Sequence, residues 1–323
     1  MKQRAIKQEY IILATAIAIA AVFGVVVPNS LSFPNLVLLF KSVSVVAIYA
    51  IGMSVVVIGR GIDLSQVSTV AVATAWVVSL ISAGVPTPVA IGFGLLFAVL
   101  AGVVNGIIVA YFEVPAVIAT LSSGLVVLGF GRYFLLERSM VQLPGNAAFI
   151  SFLGQGYIVG IPVSVVVFLV LLALFGFVAR TTVYGRYIYA IGDNPEASRI
   201  TGLAVRPLIV SQYVLCAVIG YIGGLVVAGS VGTVNLSVAN GTMIFDVLTI
   251  VIVGGISLVG GRGGALSIVV GMTLIGVLIN GLILLNVPSD IQSVVRGAVL
   301  LAAVALDSIL NPRDEETARQ GDL

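Results

Sequence analysis

The chain has 323 residues, 60% of them apolar, and only 28 carry formal charge, as 15 basic plus 13 acidic. That balance leaves too little polar surface for a water-soluble globule and supplies material for about ten membrane-crossing helices of roughly 20 residues each. There is no His, a single Cys at position 216, and no Lys beyond position 41, which removes the commonest general base and metal ligand, any intrachain disulfide, and the phosphate cradle G-x-x-x-x-G-K-[ST].

Lys2, Arg4 and Lys7 precede an apolar run of about eighteen residues from Ile11 to Pro28. The run is longer than a signal-peptide core of roughly 7 to 15 residues and ends without an A-x-A site. It therefore reads as an uncleaved first span with its basic end in the cytoplasm. Apolar runs between turn signals give ten candidate spans, near 10–28, 36–59, 64–83, 87–111, 115–136, 161–179, 207–228, 245–260, 264–285 and 288–309. The fold class expected is an all-α polytopic transmembrane bundle, one permease domain over 1–323, with both termini on one side.

With the N-terminus inside, inner segments collect Lys2, Arg4, Lys7, Arg60, Arg180, Arg186, Arg199, Arg206, Arg262, Arg313 and Arg319. The outer side keeps Arg132 and Arg138, and Lys41 and Arg296 fall within spans. That asymmetry is the one the positive-inside rule requires. The 245–260 segment is short and the turns at 60–63 and 261–263 are tight, so re-entrant half-helices are an open alternative there. Such breaks survive only where protein or water covers the freed backbone.

Two polar segments have room for structure of their own: an external loop over 137–160, with the turn signal Pro144-Gly145-Asn146, and an internal loop over 180–206. A polar inner tail covers 311–323. No long repeat is evident; Gly59–Ser65 is only briefly echoed by Gly254–Leu258, and Asn105-Gly106 by Asn280-Gly281.

Within the internal loop, residues 193–202 read as one complete short helix. Asn194 suits the N-cap and Pro195 the first helical position, Glu196 and Arg199 complement the two ends of the helix dipole, and Gly202 fits C′. A rod of roughly 10 Å is marginal alone in water, so it needs a partner surface. That surface is either the protein's own inner face or a cytoplasmic protein that docks there.

Three blocks carry a resemblance. Gly59-Arg60-Gly61-Ile62-Asp63-Leu64-Ser65, Gly185–Ala197 and Val253–Leu258 through Gly260-Gly261-Arg262-Gly263 are similar to those in permease subunits of ABC importers for ribose and other simple sugars, and the likeness spans nearly the whole chain. One departure is visible, Gln66-Val67-Ser68 where the family usually has Val-Gly-Ser. The resemblance implies that Glu196, Ala197 and Gly202 belong to the loop that couples to the ATPase. It also implies a dimer with a second copy or a paralogue, cytoplasmic ATP-binding subunits that hold ATP and magnesium, a periplasmic sugar-binding protein, and a bacterial inner-membrane location. No cofactor is expected in this chain itself, and nucleic acid is not among the expected partners.

Charged and polar residues near the spans are the candidate pathway or gating groups: Arg60, Asp63, Asn105, Asp246, Asn280 and Arg296. An intramembrane charge faces protein or water, so Arg296 either lines the pathway or pairs with Asp246 or Asp290. Asp63 and Gln66 have capping-box spacing, which would start the third span. Asp246 either meets the binding protein or caps its helix. Asn105 and Asn280 need hydrogen-bond partners inside apolar helices, in a sugar path or in helix packing. Gly102-x-x-x-Gly106 and Gly220-x-x-x-Gly224 have close-approach spacing. The six glycines between 254 and 264 read as a tight inner turn.

The leading expectation is the translocation subunit of an ATP-driven importer for a monosaccharide or related polyol, working by alternating access. The alternative is an ion-coupled secondary transporter, which needs an ionisable group near the midplane. An enzyme is disfavoured by the lack of His and of clustered carboxylates.

Overall fold

The computed structural model describes residues 8–310, so Lys2, Arg4, Lys7, Arg313, Arg319 and the expected tail at 311–323 lie outside the described residues. Its helices are α1 (Gln8–Val26), α2 (Phe33–Ile58), α3 (Gln66–Ser82), α4 (Thr87–Ala110), α5 (Ala116–Phe130, prolonged by a π-helical turn to Leu135) and α6 (Ala148–Gln155). They continue with α7 (Val163–Thr181), α8 (Val183–Asp193), α9 (Pro195–Ile200), α10 (Val205–Val231), α11 (Met243–Val253), α12 (Ala265–Leu284) and α13 (Ser289–Leu310). Four short strands, β1 (Met140–Gln142), β2 (Tyr157–Ile158), β3 (Ile161–Pro162) and β4 (Thr233–Asn235), form two antiparallel pairs, β1 with β4 and β2 with β3.

Among the described residues eight helices are long and apolar enough to cross a membrane, and the third and eighth expected spans are the shorter α3 and α11. Each of the ten expected segments therefore contains a helix. At 11 residues, α11 rises only about 16 Å and covers half a crossing. The chain before it forms β4 and a 3₁₀ turn at Leu236–Asn240. From Asp246 to Val253 every residue of α11 is buried, so protein covers the broken backbone.

The long helix α10 is the axis of the bundle, and glycines bring its neighbours close. A Cβ on Gly102 or Gly106 would press on the α10 backbone at Tyr213 or Val210, and one on Gly224 would overlap Val70 of α3. The two G-x-x-x-G pairs are thus packing faces for α4 and α3 against α10. Residues 47–58 of α2 are all buried beside α10. The outer helices stay apolar where they are exposed, with Val25 at 89%, Leu125 at 71% and Leu301 at 73% accessible, as lipid-facing surfaces are.

The segment 137–160, expected as an external loop, is folded rather than loose. β1 pairs with β4, and α6 lies so close to α10 that a Cβ on Gly154 would overlap the Ser230 backbone. Arg132 and Arg138 lie at this capped end of the bundle, and Arg60, Arg180, Arg186, Arg199, Arg206 and Arg262 lie at the other, the basic end.

Candidate coupling and pathway sites

At the basic end, α9 has the predicted caps. The Asn194 side chain accepts from the Ala197 amide at 2.9 Å, Pro195 opens the helix, and Glu196 meets Arg199 at 3.6 Å. Gly202, at φ +84°, turns the chain so that its N–H donates to Arg199 O and that of Leu203 to Ser198 O. Only Ser198 is buried in this helix, while Ile200 is 85% exposed at a charged end of the molecule. The helix is too short to stand alone and leaves an apolar side chain uncovered at this end.

The preceding helix, α8, joins α9 to the bundle and was not expected from the sequence. Thr182 caps it by accepting from the Gly185 amide at 3.1 Å, and Gly185, Ile188, Ile191 and Gly192 form its buried side. Their helical spacing was the available signal. Gly192 is the closest contact: a Cβ there would overlap the Ile58 carbonyl oxygen and lie 2.5 Å from the Gly261 nitrogen. The Gly261 N–H in turn donates to Ile58 O at 2.8 Å, and the Tyr189 hydroxyl donates to Gly263 O at 2.7 Å. Three chain turns therefore meet beside α9: the end of α8, the end of α2, and the glycine turn after α11.

That turn has positive φ at Gly255, Gly260, Gly261 and Gly263, conformations that glycine adopts without strain. Arg60 also has φ +71°, and its Cβ would lie 3.0 Å from a Cβ on Gly260, so the family-like 59–65 block packs directly on the glycine turn. Asp307 of α13 accepts from the Leu258 N–H at 3.1 Å and holds the same turn from the outside.

The capping box does not form. Ser65 is the N-cap of α3 and Gln66 its first residue. Asp63 accepts instead from the Ser65 amide at 3.0 Å and the Ser65 hydroxyl at 2.5 Å. The Gln66 amide donates to Tyr49 O at 3.0 Å and faces Cys216 O at 3.5 Å. Tertiary acceptors on α2 and α10 thus displaced the local one. Asn105 donates to the Ser65 hydroxyl at 2.7 Å, completing a buried chain Asn105–Ser65–Asp63 that links α4 to the 59–65 turn. Its own Oδ1 has no partner.

The other candidates lie elsewhere. Asn280 exchanges hydrogen bonds with Asn35, at 3.0 and 3.3 Å, and clamps α12 to α2. Arg296 pairs with Asp246 at 2.8 Å rather than with Asp290, and joins α13 to α11. The structure therefore brings Arg60 to the basic-end junction and Asp63 with Asn105 to the interior beside it. It separates Asp246, Arg296 and Asn280 from both.

An all-α bundle with eight membrane-length apolar helices among its described residues, a broken helix and close-packed glycine faces has the architecture of a multi-pass membrane protein. The family model described as "Branched-chain amino acid transport system / permease component" matches residues 35–304, and the chain belongs to that family. It is similar to the ribose import permease protein RbsC of Haemophilus influenzae, 32% identical over 298 residues covering 92% of each chain. It is also similar to the fructose import permease protein FrcC of Rhizobium meliloti, 30% identical over 88% of this chain and 81% of that one. The galactofuranose transporter permease protein YtfT of Escherichia coli is 32% identical over 81% of this chain and 76% of its own length. No solved structure matches the chain.

Proposed function

We propose that this chain is the membrane-spanning permease subunit of an ATP-driven importer that moves a monosaccharide or a related small polyol. The observation that carries this reading is the capped helix α9, with Ile200 exposed and α8 seamed at Gly192 to the turns after α2 and α11. A partner that seizes α9 pulls on a backbone-to-backbone contact with no side chain to absorb the motion. Displacement therefore passes to α2 and to the half-helix α11 together. This arrangement suits alternating access, in which a bistable bundle is switched from one end. The similarity to sugar import permeases supports the substrate class.

In this reading ATP and magnesium bind to cytoplasmic subunits that grip α9. A periplasmic binding protein delivers substrate to the capped end, and a second copy or a related chain completes the dimer. The protein sits in the bacterial inner membrane with both termini cytoplasmic. The roles of Arg60, Asp63 and Asn105 are then to hold the junction that α9 moves.

The test is uptake in cells whose proton gradient is collapsed while ATP is maintained. Uptake that continues, and is lost on Glu196→Lys, supports the ATP-driven reading. Uptake that stops with the gradient supports an ion-coupled transporter instead.

A further inference from the structure

Helix α7 runs from the capped end to the basic end with an apolar outer surface, on which Val170, Leu174 and Phe177 are all more than half exposed. It approaches α12 closely at Gly176, where a Cβ would lie 3.3 Å from the Ala265 Cβ. Beside that point the two helices form an open groove of about 460 Å³. Leu169, Leu172 and Ala173 of α7 and Leu266 and Val269 of α12 line its walls, and Arg180, in the last turn of α7, stands at its basic end. Leu169 and Arg180 are eleven positions apart, so the groove follows α7 for about 16 Å. That is close to the depth of one leaflet, roughly 15 Å of a hydrocarbon core of about 30 Å.

Arg180 is exposed, and among the described residues no carboxylate pairs with it, whereas Arg199, Arg206 and Arg296 each have one. No acid lines the groove either. The charge is felt at Tyr189 of α8: burial raises that hydroxyl above its ordinary value, and Arg180 opposes the rise. The same hydroxyl donates to Gly263 O, in the turn that leads into α12. The head of the groove therefore adjoins the seam between α8 and the glycine turn.

The cleft on the other side of α7, about 210 Å³ between α2, α7, α8 and α10, has no such head. Its lining is apolar apart from Tyr184 and Tyr189, whose hydroxyls are taken by Ser211 and Gly263 O. A hydrocarbon chain could fill either space, but only the α7–α12 groove offers an unpaired cation where the chain would end. A guanidinium holds phosphate through two parallel N–H donors, and basic clefts between spans recruit acidic headgroups. Arg60, Arg186, Arg199, Arg206 and Arg262 lie at the same end, so the field there favours acidic lipid.

We propose that the α7–α12 groove seats an anionic phospholipid from the leaflet at the basic end, with one acyl chain between the two helices and the phosphate held by Arg180. So placed, the lipid ties the end of α7 to the start of α12 beside the Tyr189–Gly263 contact and steadies the seam that α8 makes. Its binding does not depend on what the protein transports. Its effect on uptake rests on the importer reading.

The experiment reconstitutes the complete transporter, permease with its ATP-binding subunits and binding protein, in two kinds of vesicle. One is phosphatidylcholine alone, and the other is equal parts phosphatidylcholine and phosphatidylglycerol. Native mass spectrometry of the complex released from the mixed vesicles identifies the lipids it retains, and uptake of radiolabelled D-ribose, D-fructose and D-galactose is followed in both. The unaltered transporter is expected to retain phosphatidylglycerol in preference to phosphatidylcholine. Arg180→Gln should lower that preference about fivefold, the worth of one arginine beside an acidic membrane surface, and Arg180→Lys should keep most of it. Ala173→Phe, which fills the groove from an exposed position and leaves the guanidinium in place, should lower it likewise. Uptake by the unaltered transporter should rise by about the same factor in mixed vesicles, and Arg180→Gln should lose the rise. An unchanged lipid preference in Arg180→Gln and Ala173→Phe overturns the seat. Inorganic phosphate that reproduces the rise in phosphatidylcholine vesicles also overturns it, because a free ion needs no groove. Equal loss of uptake by Arg180→Gln in both vesicles, with its lipid preference unchanged, places Arg180 in a protein contact and overturns the seat as well. If the unaltered transporter moves none of these sugars on ATP, the importer reading falls, while the retained lipids still decide the seat.

Discussion

Arg296 Nη1 and Asp246 Oδ2 lie 2.8 Å apart, joining the outer helix α13 to the half-helix α11 with both side chains largely buried. Asp307, eleven positions further along α13, holds the turn just past the other end of α11. The broken helix is thus strapped at both ends by one long helix that is otherwise mostly exposed.

Breaking that strap on one side leaves a charge without its partner among apolar helices. Arg296→Met is expected to cost about 3–5 kcal/mol, and Asp246→Leu a similar amount. The double variant Asp246→Leu/Arg296→Met removes both charges and is expected to recover most of the loss. Thermal unfolding of the detergent-solubilised protein measures this. Additive losses in the double variant would show that the two side chains are not coupled.

The Asn35–Asn280 pair makes a milder version of the same prediction, since both groups are neutral. Interhelical hydrogen bonds within membranes are worth roughly 0.6 kcal/mol and at most about 1.7. Asn280→Leu should fall within that range, and Asn35→Leu/Asn280→Leu should sit closer to the starting protein. Because both contacts lie away from the basic-end junction, uptake by the folded fraction is expected to be unchanged. A selective loss of transport would instead return Asn280 to the pathway.

Gly192 tests the seam. Alanine there must push the Ile58 carbonyl or displace α8, a misfit expected to cost about 1–3 kcal/mol. More tellingly, the displaced α8 carries α9 with it. We expect Gly192→Ala to bind its ATP-binding subunit yet import at least tenfold more slowly, with ATP hydrolysis less responsive to the loaded binding protein. Normal uptake from a folded Gly192→Ala protein would remove the seam from the mechanism.

The sequence exposed those features whose determinants are local. Helix α9 was legible whole because Asn194, Pro195 and Gly202 act within one turn of the residues they cap. The ten apolar segments stood out because lipid demands continuous runs, and α11 showed itself by being short. What stayed hidden depends on distant chain. Gln66 looked like a local cap, but its acceptors are Tyr49 O and Cys216 O, 17 and 150 residues away. The partner of Asn280 lies 245 residues off. Helix α8 escaped notice because two of its four buried positions are glycines, which mark close approach in the fold but read as loop in a sequence. The cap built from β1, β4 and α6 was hidden likewise, since strand pairing joins residues 140–142 to 233–235.

Orientation is open to direct labelling, helped by the burial of the only cysteine, Cys216. Arg199→Cys should react with a membrane-impermeant maleimide only after the inner membrane is opened. Tyr157→Cys, on the exposed β2–β3 hairpin of the capped end, should react in intact spheroplasts. The reverse pattern would turn the molecule over and detach α9 from any cytoplasmic motor.

The last prediction concerns how firmly α9 must be formed to be gripped. Loss of the Asn194 cap in Asn194→Ala is expected to cost about 0.5–2 kcal/mol of helix stability. Helix α9 has six residues and few contacts of its own, so the cost falls on the bound state, where the helix has to be ordered. Since about 1.4 kcal/mol is a tenfold change in affinity, the ATP-binding subunit should bind Asn194→Ala roughly two- to thirtyfold more weakly. Asn194→Ser, which caps as well, should restore binding. Ile200→Asp leaves the caps untouched and places a charge where the 85%-exposed apolar side chain stands, so it should weaken binding without unfolding the helix. Loss in both Asn194→Ala and Ile200→Asp, with rescue by serine, separates a knob that must be both shaped and apolar from a loop that merely lies near the partner. Equal affinity across all three variants would place the motor contact elsewhere on the basic end.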